Sequence, residues 1–226
     1  MTRREALRTA FFRSLPIACS YLFISLAYGI SMAEKGFPWY FSGAISLGVY
    51  TGAFQFVLIP MLAGGESITA IAVTALLMNA RQVFYSLTFL PDFSKMGRRK
   101  IFMIHSLTDE TYAVNCSLGL PQGEKQEVMF WIALLSWLYW FLGTVLGGLL
   151  GQNLPFDLTG IDFSMTALFI VLFLEQWHSA PGKLPGVMGL GVGVGCLLLL
   201  GSGNFMLPAL LLISGILLVT GGNRHD

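Results

Sequence analysis

Two polar residues interrupt a long apolar run in the first half of the chain. The run from Ile68 to Leu90 is long enough to cross a membrane, and it contains Asn79 and Arg81. An arginine deep in a membrane span costs about 2.5–3.5 kcal/mol on insertion scales. Arg81 lies about ten residues, or roughly 15 Å of helix, before Pro91. Snorkelling to the headgroups is therefore difficult, and we expect Arg81 to face a carboxylate or a cavity.

A second polar stretch holds Thr108 and two adjacent acids, Asp109 and Glu110. On a helix, neighbouring residues point about 100° apart, so the two acids cannot share one face. His105 and Asp109, four residues apart, would share one. Carboxylates on a partly apolar segment need a cation, a proton or water. An ion pair with Arg81, a coupled proton and a bound ammonium group are candidates, and an amphipathic interfacial helix is the alternative.

The third stretch combines small residues with one uncharged polar side chain. Gly48 and Gly52 have the spacing of closely packed membrane helices, and Gln55 follows them. The Gln55 amide has donor and acceptor groups, which suit the polar atoms of a zwitterion. A hydrogen bond that only holds helices together is the alternative.

The composition places these residues in a membrane protein. Of the 226 residues, 55% are hydrophobic and 11% are charged, and the net charge is +1. An ordinary soluble domain has roughly 25% charged residues. Nucleic-acid-binding modules, secreted disulfide scaffolds and disordered chains are excluded. Enzyme motifs and metal-ligand spacings are absent from the sequence, so it predicts no catalysis, no cofactor and no metal site.

The apolar segments predict an all-α, polytopic membrane bundle in one domain, residues 1–226. Alternating glycines from Gly189 to Gly195 are expected to allow close helix packing. The candidate membrane segments, each predicted to be helical, are 15–33, 39–63, 67–90, 101–119, 128–150, 161–178, 186–200 and 204–220.

The positive charges favour one topology. The N-terminal basic cluster is Arg3, Arg4, Arg8 and Arg13, and the second basic cluster is Lys95, Arg98, Arg99 and Lys100. Eight full spans leave five positive charges on the outside, whereas two re-entrant segments, 39–63 and 101–119, leave one. Because positive residues collect in cytoplasmic loops, we predict about six full spans plus two re-entrant or broken segments entering from opposite faces. The alternative is seven or eight full spans.

At these residues the chain resembles the AzlC family, the large permease subunits of branched-chain amino-acid exporters linked to azaleucine resistance. The matching stretches are Gly48 to Phe56, Asn79 to Arg81, Leu107 to Glu110, and Gly160 to Phe163. The resemblance implies export of leucine, isoleucine and valine, with methionine as a further candidate, across the cytoplasmic membrane. It also implies a small hydrophobic partner subunit of the AzlD type.

Together these observations predict a secondary transporter with a cytoplasmic N-terminus. The substrate carboxylate would meet Arg81 or helix N-termini, and its ammonium group would meet Asp109 or Glu110. Gln55, Asn79 and Thr108 are the further substrate-binding candidates, and either acid could carry a coupled proton. A channel or facilitator for another small solute, and a non-transporting membrane assembly subunit, are the alternatives.

Overall fold

The computed structural model describes residues 1–153, 170, 173–174, 177–178, 182–201 and 205–222. The predicted span 161–178 lies largely outside these residues. Every regular element in the described part of the chain is helical, as predicted. The helices are α1 (Arg3–Glu34), α2 (Trp39–Gly48), α3 (Gly52–Ala63), α4 (Ile68–Thr88), α5 (Leu90–Ser94), α6 (Arg99–His105), α7 (Asp109–Cys116), α8 (Gln122–Asn153), α9 (Leu184–Leu200) and α10 (Met206–Gly222).

The described residues form two compact units. The first unit comprises residues 1–64 and 79–161, and the second comprises 65–78 and 162–226. Among the described residues, two helices are long and apolar enough to cross a membrane, and both belong to the first unit. They are α1 and α8, each with 32 residues.

Helices α1 and α8 pack side by side and run parallel. The Met1 amino group donates to Glu124 Oε1 at 2.7 Å, so the two helices start at the same end. Ala33 lies against Gly151 at the opposite end. The chain between them must therefore return from one end of this α1–α8 pair to the other.

Glycines bring the two backbones into contact. Gly143, Gly147 and Gly151 lie four residues apart, which places them on one face of α8. A Cβ atom on Gly147 would overlap the backbone of Leu26, and one on Gly29 would overlap the backbone of α8. Close backbone approach of this kind is how small residues stabilise helix pairs in membranes.

Replacing Gly147 with alanine is expected to destabilise the protein. Relieving the overlap with Leu26 requires the helices to separate, which costs about 1–3 kcal/mol for an overpacked site. We expect the melting temperature in detergent to fall by roughly 3–10 °C. Gly195→Ala in α9 is the matched control, because no described atom lies within 4 Å of its Cβ position. Equal melting temperatures for the two variants would contradict the packing argument.

Helices α2 and α3 form a hairpin, residues 39–63, that we call the first hairpin. Trp39, at the start of α2, contacts Gly148, so α2 begins beside the C-terminal end of α8. Gly52, at the start of α3, lies against the Trp140 ring, about two turns further back along α8. Helix α2 therefore runs antiparallel to α8 and stops near its middle.

The chain reverses at residues 49–51. Tyr50 adopts φ of 37°, a left-handed conformation that non-glycine residues rarely adopt. Helix α3 then runs back towards the end of the pair at which α2 began. Its Phe56 ring packs on Tyr28 of α1, with centroids 5.6 Å apart. Tyr28 neighbours Gly29, which faces Gly148. The segment that the sequence predicts to be broken is interrupted, and it turns back along the helix pair.

Helices α6 and α7 form the second hairpin, residues 99–116. It starts at the end of the α1–α8 pair opposite to that of the first hairpin. Arg99 pairs with Glu127 in the second turn of α8 at 2.7 Å. The helix α6 ends at His105, whose ring centroid lies 6.4 Å from that of Tyr50. The tips of the two hairpins therefore meet.

Helix α7 leads back to the end from which α6 started. The Tyr112 ring lies 5.4 Å from that of Phe89, and Phe89 lies 5.4 Å from the Lys125 ammonium near the start of α8. The break at residues 106–108 separates α6 from α7, so His105 and Asp109 do not share a helix face. That expectation is wrong because it assumed one continuous helix.

Both basic clusters lie at one end of the α1–α8 pair. Arg3 of the N-terminal basic cluster lies over the Trp131 ring at 5.2 Å. Lys95 of the second basic cluster donates to Gln122 at 2.7 Å. The hydrogen bond and the negative charge of Glu124 raise the pKa of the Met1 amino group at this end. This shared end is the arrangement that two re-entrant segments predict.

In the second unit, α9 and α10 pack together and border an apolar groove of about 530 Å³. Gly189 and Gly193 line this groove. Within the described part of the chain, no atom lies within 4 Å of the Cβ positions of Gly189, Gly191, Gly193 and Gly195. The close packing expected at these glycines is therefore not seen, because small residues alone do not specify a packing partner.

Candidate functional site

The hairpin tips meet beside Tyr21 in the middle of α1. Tyr21 Oη donates to Glu110 Oε2 at 2.7 Å and lies 2.6 Å from Thr108 Oγ1. The Tyr50 ring of the first hairpin lies 6.5 Å from the Tyr21 ring. We call Tyr21, Tyr50, His105, Thr108 and Glu110 the tip cluster.

The hydrogen-bond chemistry fixes the donors in this cluster. Tyr21 has one hydroxyl hydrogen, and an ionised Glu110 only accepts. When Tyr21 donates to Glu110, the Thr108 hydroxyl must donate to Tyr21. Glu110 is exposed in the isolated chain, but this contact holds one of its oxygens against α1.

Thr108 also caps the N-terminus of α7. Its Oγ1 accepts from the Thr111 backbone N–H at 3.4 Å, and Thr111 Oγ1 accepts from the Thr108 N–H at 2.8 Å. This reciprocal capping box satisfies two N–H groups at the helix start. It fixes the direction in which α7 carries Asp109 and Glu110 away from the break.

Gln55 is fully buried and holds the first hairpin together. Trp140 Nε1 donates to Gln55 Oε1 at 2.6 Å, and Gln55 Nε2 donates to Ser46 Oγ at 3.2 Å. Ser46 in turn lies 2.9 Å from Thr144 Oγ1 of α8. Of the two interpretations left open for Gln55, the helix-joining hydrogen bond fits these contacts.

Gln55 still acts close to the tip cluster. The ring of its partner Trp140 packs edge-on against Tyr21, with centroids 5.3 Å apart. A change at Gln55 would therefore reach Tyr21 through Trp140.

Helix α4 approaches the second hairpin through aromatic residues. Tyr85 stacks on Tyr112 of α7, with centroids 4.6 Å apart. Asn79 and Asp109 are half-buried, and the Arg81 side chain lies outside the described part of the structure. By helix geometry Arg81 lies one turn before Tyr85 on α4, as Asp109 lies about one turn before Tyr112 on α7.

The structure therefore brings Thr108 and Glu110 together and places Gln55 one side chain away. Sequence reasoning overlooked Tyr21 and Tyr50. The available signals were that Tyr21 lies within an apolar span and that Tyr50 lies between two glycines. Neither signal identifies a hydrogen-bond partner, because both tyrosines meet residues far away in the sequence.

The sequence comparisons bear on the same region. A model of the AzlC protein family matches residues 16–154, which include both hairpins and the tip cluster. The chain belongs to the AzlC family. No solved structure matches the chain.

Individual proteins resemble the chain over most of its length. It is 36% identical over 215 residues to the branched-chain amino acid transport protein AzlC of Bacillus subtilis, covering 95% of this chain and 85% of the relative. An uncharacterized membrane protein of Helicobacter pylori is 36% identical over 210 residues, covering 92% of both chains. The inner membrane protein YgaZ of Escherichia coli is 31% identical over 173 residues, covering 73% of this chain and 71% of the relative.

Proposed function

We propose that the protein is a secondary transporter that exports branched-chain amino acids across the cytoplasmic membrane. The observation that carries this proposal is the meeting of two interrupted helices from opposite ends, with the Glu110 carboxylate at the contact. Paired broken helices with a site near the membrane midplane are a recurrent device of transporters. The name of the Bacillus subtilis relative supports the choice of substrate.

The substrate fits between charges of opposite sign. Its carboxylate would bind Arg81 or a helix N-terminus, and its ammonium group would bind Glu110 or Asp109. Thr108 would position Glu110 through Tyr21, whose hydroxyl contacts both side chains. Asn79, on α4, would add a hydrogen bond to the substrate.

Coupling to a proton would use one of the two adjacent acids. Glu110 is the better placed, because Tyr21 contacts it and Tyr21 also contacts the other hairpin through Tyr50. Protonation of Glu110 would weaken its hold on Tyr21 and on a bound ammonium group. Weakening of the contact with Tyr21 would let one hairpin move against the other.

The membrane arrangement that we propose has six full spans and two re-entrant hairpins. Both basic clusters would face the cytoplasm, with the N-terminus on the same side. We further propose a small hydrophobic AzlD-type subunit as the partner, on the family resemblance. The lipid bilayer and an amino acid are the remaining partners, and we propose no enzymatic activity and no cofactor.

Leucine counterflow in proteoliposomes tests this proposal. Vesicles holding the protein with its small subunit are loaded with unlabelled leucine, and uptake of labelled leucine is followed. A carrier gives transient uptake above equilibrium, because internal leucine exchanges for external label. A channel gives no such overshoot, and an assembly subunit gives no leucine flux, so either result would remove the transporter proposal.

A further inference from the structure

The break in the first hairpin leaves the start of α3 without a side-chain cap. Thr51 occupies the N-cap position with extended backbone, but its hydroxyl makes no capping hydrogen bond. The first N–H groups of a helix have no acceptor within the helix itself. The start of α7 differs, because Thr108 and Thr111 cap it. The start of α3 therefore offers N–H groups to another acceptor.

Two hydroxyl groups at the same break are buried and unpaired. Thr51 is 8% exposed and Tyr50 is 2% exposed. Neither Thr51 Oγ1 nor Tyr50 Oη has a hydrogen-bond partner among the residues that the structure describes. Buried polar groups in folded proteins almost always have a partner, and these two hydroxyls at a helix start can donate to an acceptor on a ligand.

The break faces the tip cluster. The Tyr50 ring lies 6.5 Å from Tyr21 and 6.4 Å from His105, and Tyr21 binds the Glu110 carboxylate. Helix α2 ends at the same break, so its last carbonyl groups carry the opposite partial charge. Negative groups near a positive helix start suit a zwitterion better than a simple anion.

We propose that the start of α3, together with the hydroxyls of Thr51 and Tyr50, binds the carboxylate of a zwitterionic amino acid. This inference rests on the proposed function and deepens it, because it assigns the carboxylate to one of the open alternatives. The N–H groups and the two hydroxyls would donate to the carboxylate oxygens. The ammonium group would then point towards Glu110 and the end of α2.

Binding of three probes to the purified two-subunit protein tests the assignment. L-leucine has both charged groups, leucinol lacks the carboxylate, and 4-methylpentanoate lacks the ammonium group. Thr51→Val is expected to weaken leucine binding about tenfold, because a hydrogen bond to a charged group is lost. Leucinol binding is expected to stay unchanged. Thr51→Ser keeps the hydroxyl and is expected to bind leucine within about twofold of the wild type.

A tyrosine pair provides a second, matched comparison. Tyr28 and Tyr50 are both buried with a hydroxyl that has no partner in the described part of the chain, but only Tyr50 lies at the break. Tyr50→Phe is expected to weaken leucine binding about tenfold, and Tyr28→Phe is expected to leave it unchanged. Melting temperatures of all variants exclude unfolding as the cause.

The outcomes separate this inference from the proposed function. Leucine binding that survives both Thr51→Val and Tyr50→Phe overturns the inference alone. Equal weakening of leucine and leucinol also overturns it, because the hydroxyls would then act on the fold and not on the carboxylate. Wild-type protein that binds no leucine overturns the proposed function, and the inference with it.

Discussion

Glu110→Gln is expected to abolish proton-driven accumulation of leucine and to lower counterflow, because the ammonium group of leucine loses its carboxylate. Glutamine keeps an oxygen that accepts from Tyr21, so it holds the second hairpin to α1 as a protonated Glu110 would, more weakly than the carboxylate does. It cannot take up a proton. With one proton coupled per leucine, a pH difference of one unit supports about a tenfold leucine gradient, because one pH unit is about 1.4 kcal/mol. The variant should reach no gradient.

Two carboxyl-to-amide variants serve as comparisons for Glu110→Gln. Asp109→Asn tests the adjacent acid, which is the other candidate for the coupled proton. Glu127→Gln removes a carboxylate that pairs with Arg99 near the start of α8. We expect Glu127→Gln to retain the full gradient. Loss of the gradient in Asp109→Asn with retention in Glu110→Gln would assign the proton to Asp109 and contradict our choice.

Arg81→Ala is expected to reduce leucine transport about a hundredfold. Helix α4 contacts α7 through the Tyr85–Tyr112 stack, and Arg81 lies one turn before Tyr85. In our proposal Arg81 pairs with the substrate or an acid, and removing one member of such a charge pair costs about 2–5 kcal/mol, because the other charge is left without its partner. The measurement is the initial rate of leucine counterflow at several leucine concentrations.

Arg81→Lys is the matched control for this loss. Lysine keeps the positive charge but lacks the planar, two-pronged geometry of the guanidinium group. We expect an intermediate rate if Arg81 acts through its charge on the substrate or an acid. Transport by Arg81→Ala at the wild-type rate would remove Arg81 from the mechanism. Unchanged melting temperatures would show that the variants are folded.

The interrupted helices could be predicted from sequence because their signals are local. Gly48, Gly52 and Pro60 weaken a continuous helix in 39–63, and a dense polar group does so in 101–119. The two basic clusters added a long-range constraint, since a membrane keeps most positive charges on one side. The structure interrupts both segments and brings both clusters to one end of the α1–α8 pair.

The contacts within the site could not be predicted, because they join residues far apart in the chain. Tyr21 meets Glu110 across 89 positions, and Trp140 meets Gln55 across 85. From the sequence, the Gln55 amide suited substrate binding and a helix-joining hydrogen bond equally well. Only its partners in the structure distinguish the two. Glycine spacing shows the same limit, since a Cβ on Gly147 would overlap α1, whereas a Cβ on Gly193 would meet no neighbouring helix among the described residues.

The sidedness of two introduced cysteines tests the central claim, that the first hairpin re-enters the membrane and leaves both basic clusters on one face. Glu66→Cys and Lys95→Cys are made separately in a protein whose Cys19, Cys116 and Cys196 are replaced by serine. Intact cells are treated with a membrane-impermeant thiol reagent. The account predicts that Glu66→Cys is labelled in intact cells and Lys95→Cys only after permeabilisation. The reverse pattern would show that segment 39–63 crosses the membrane fully, which contradicts the account.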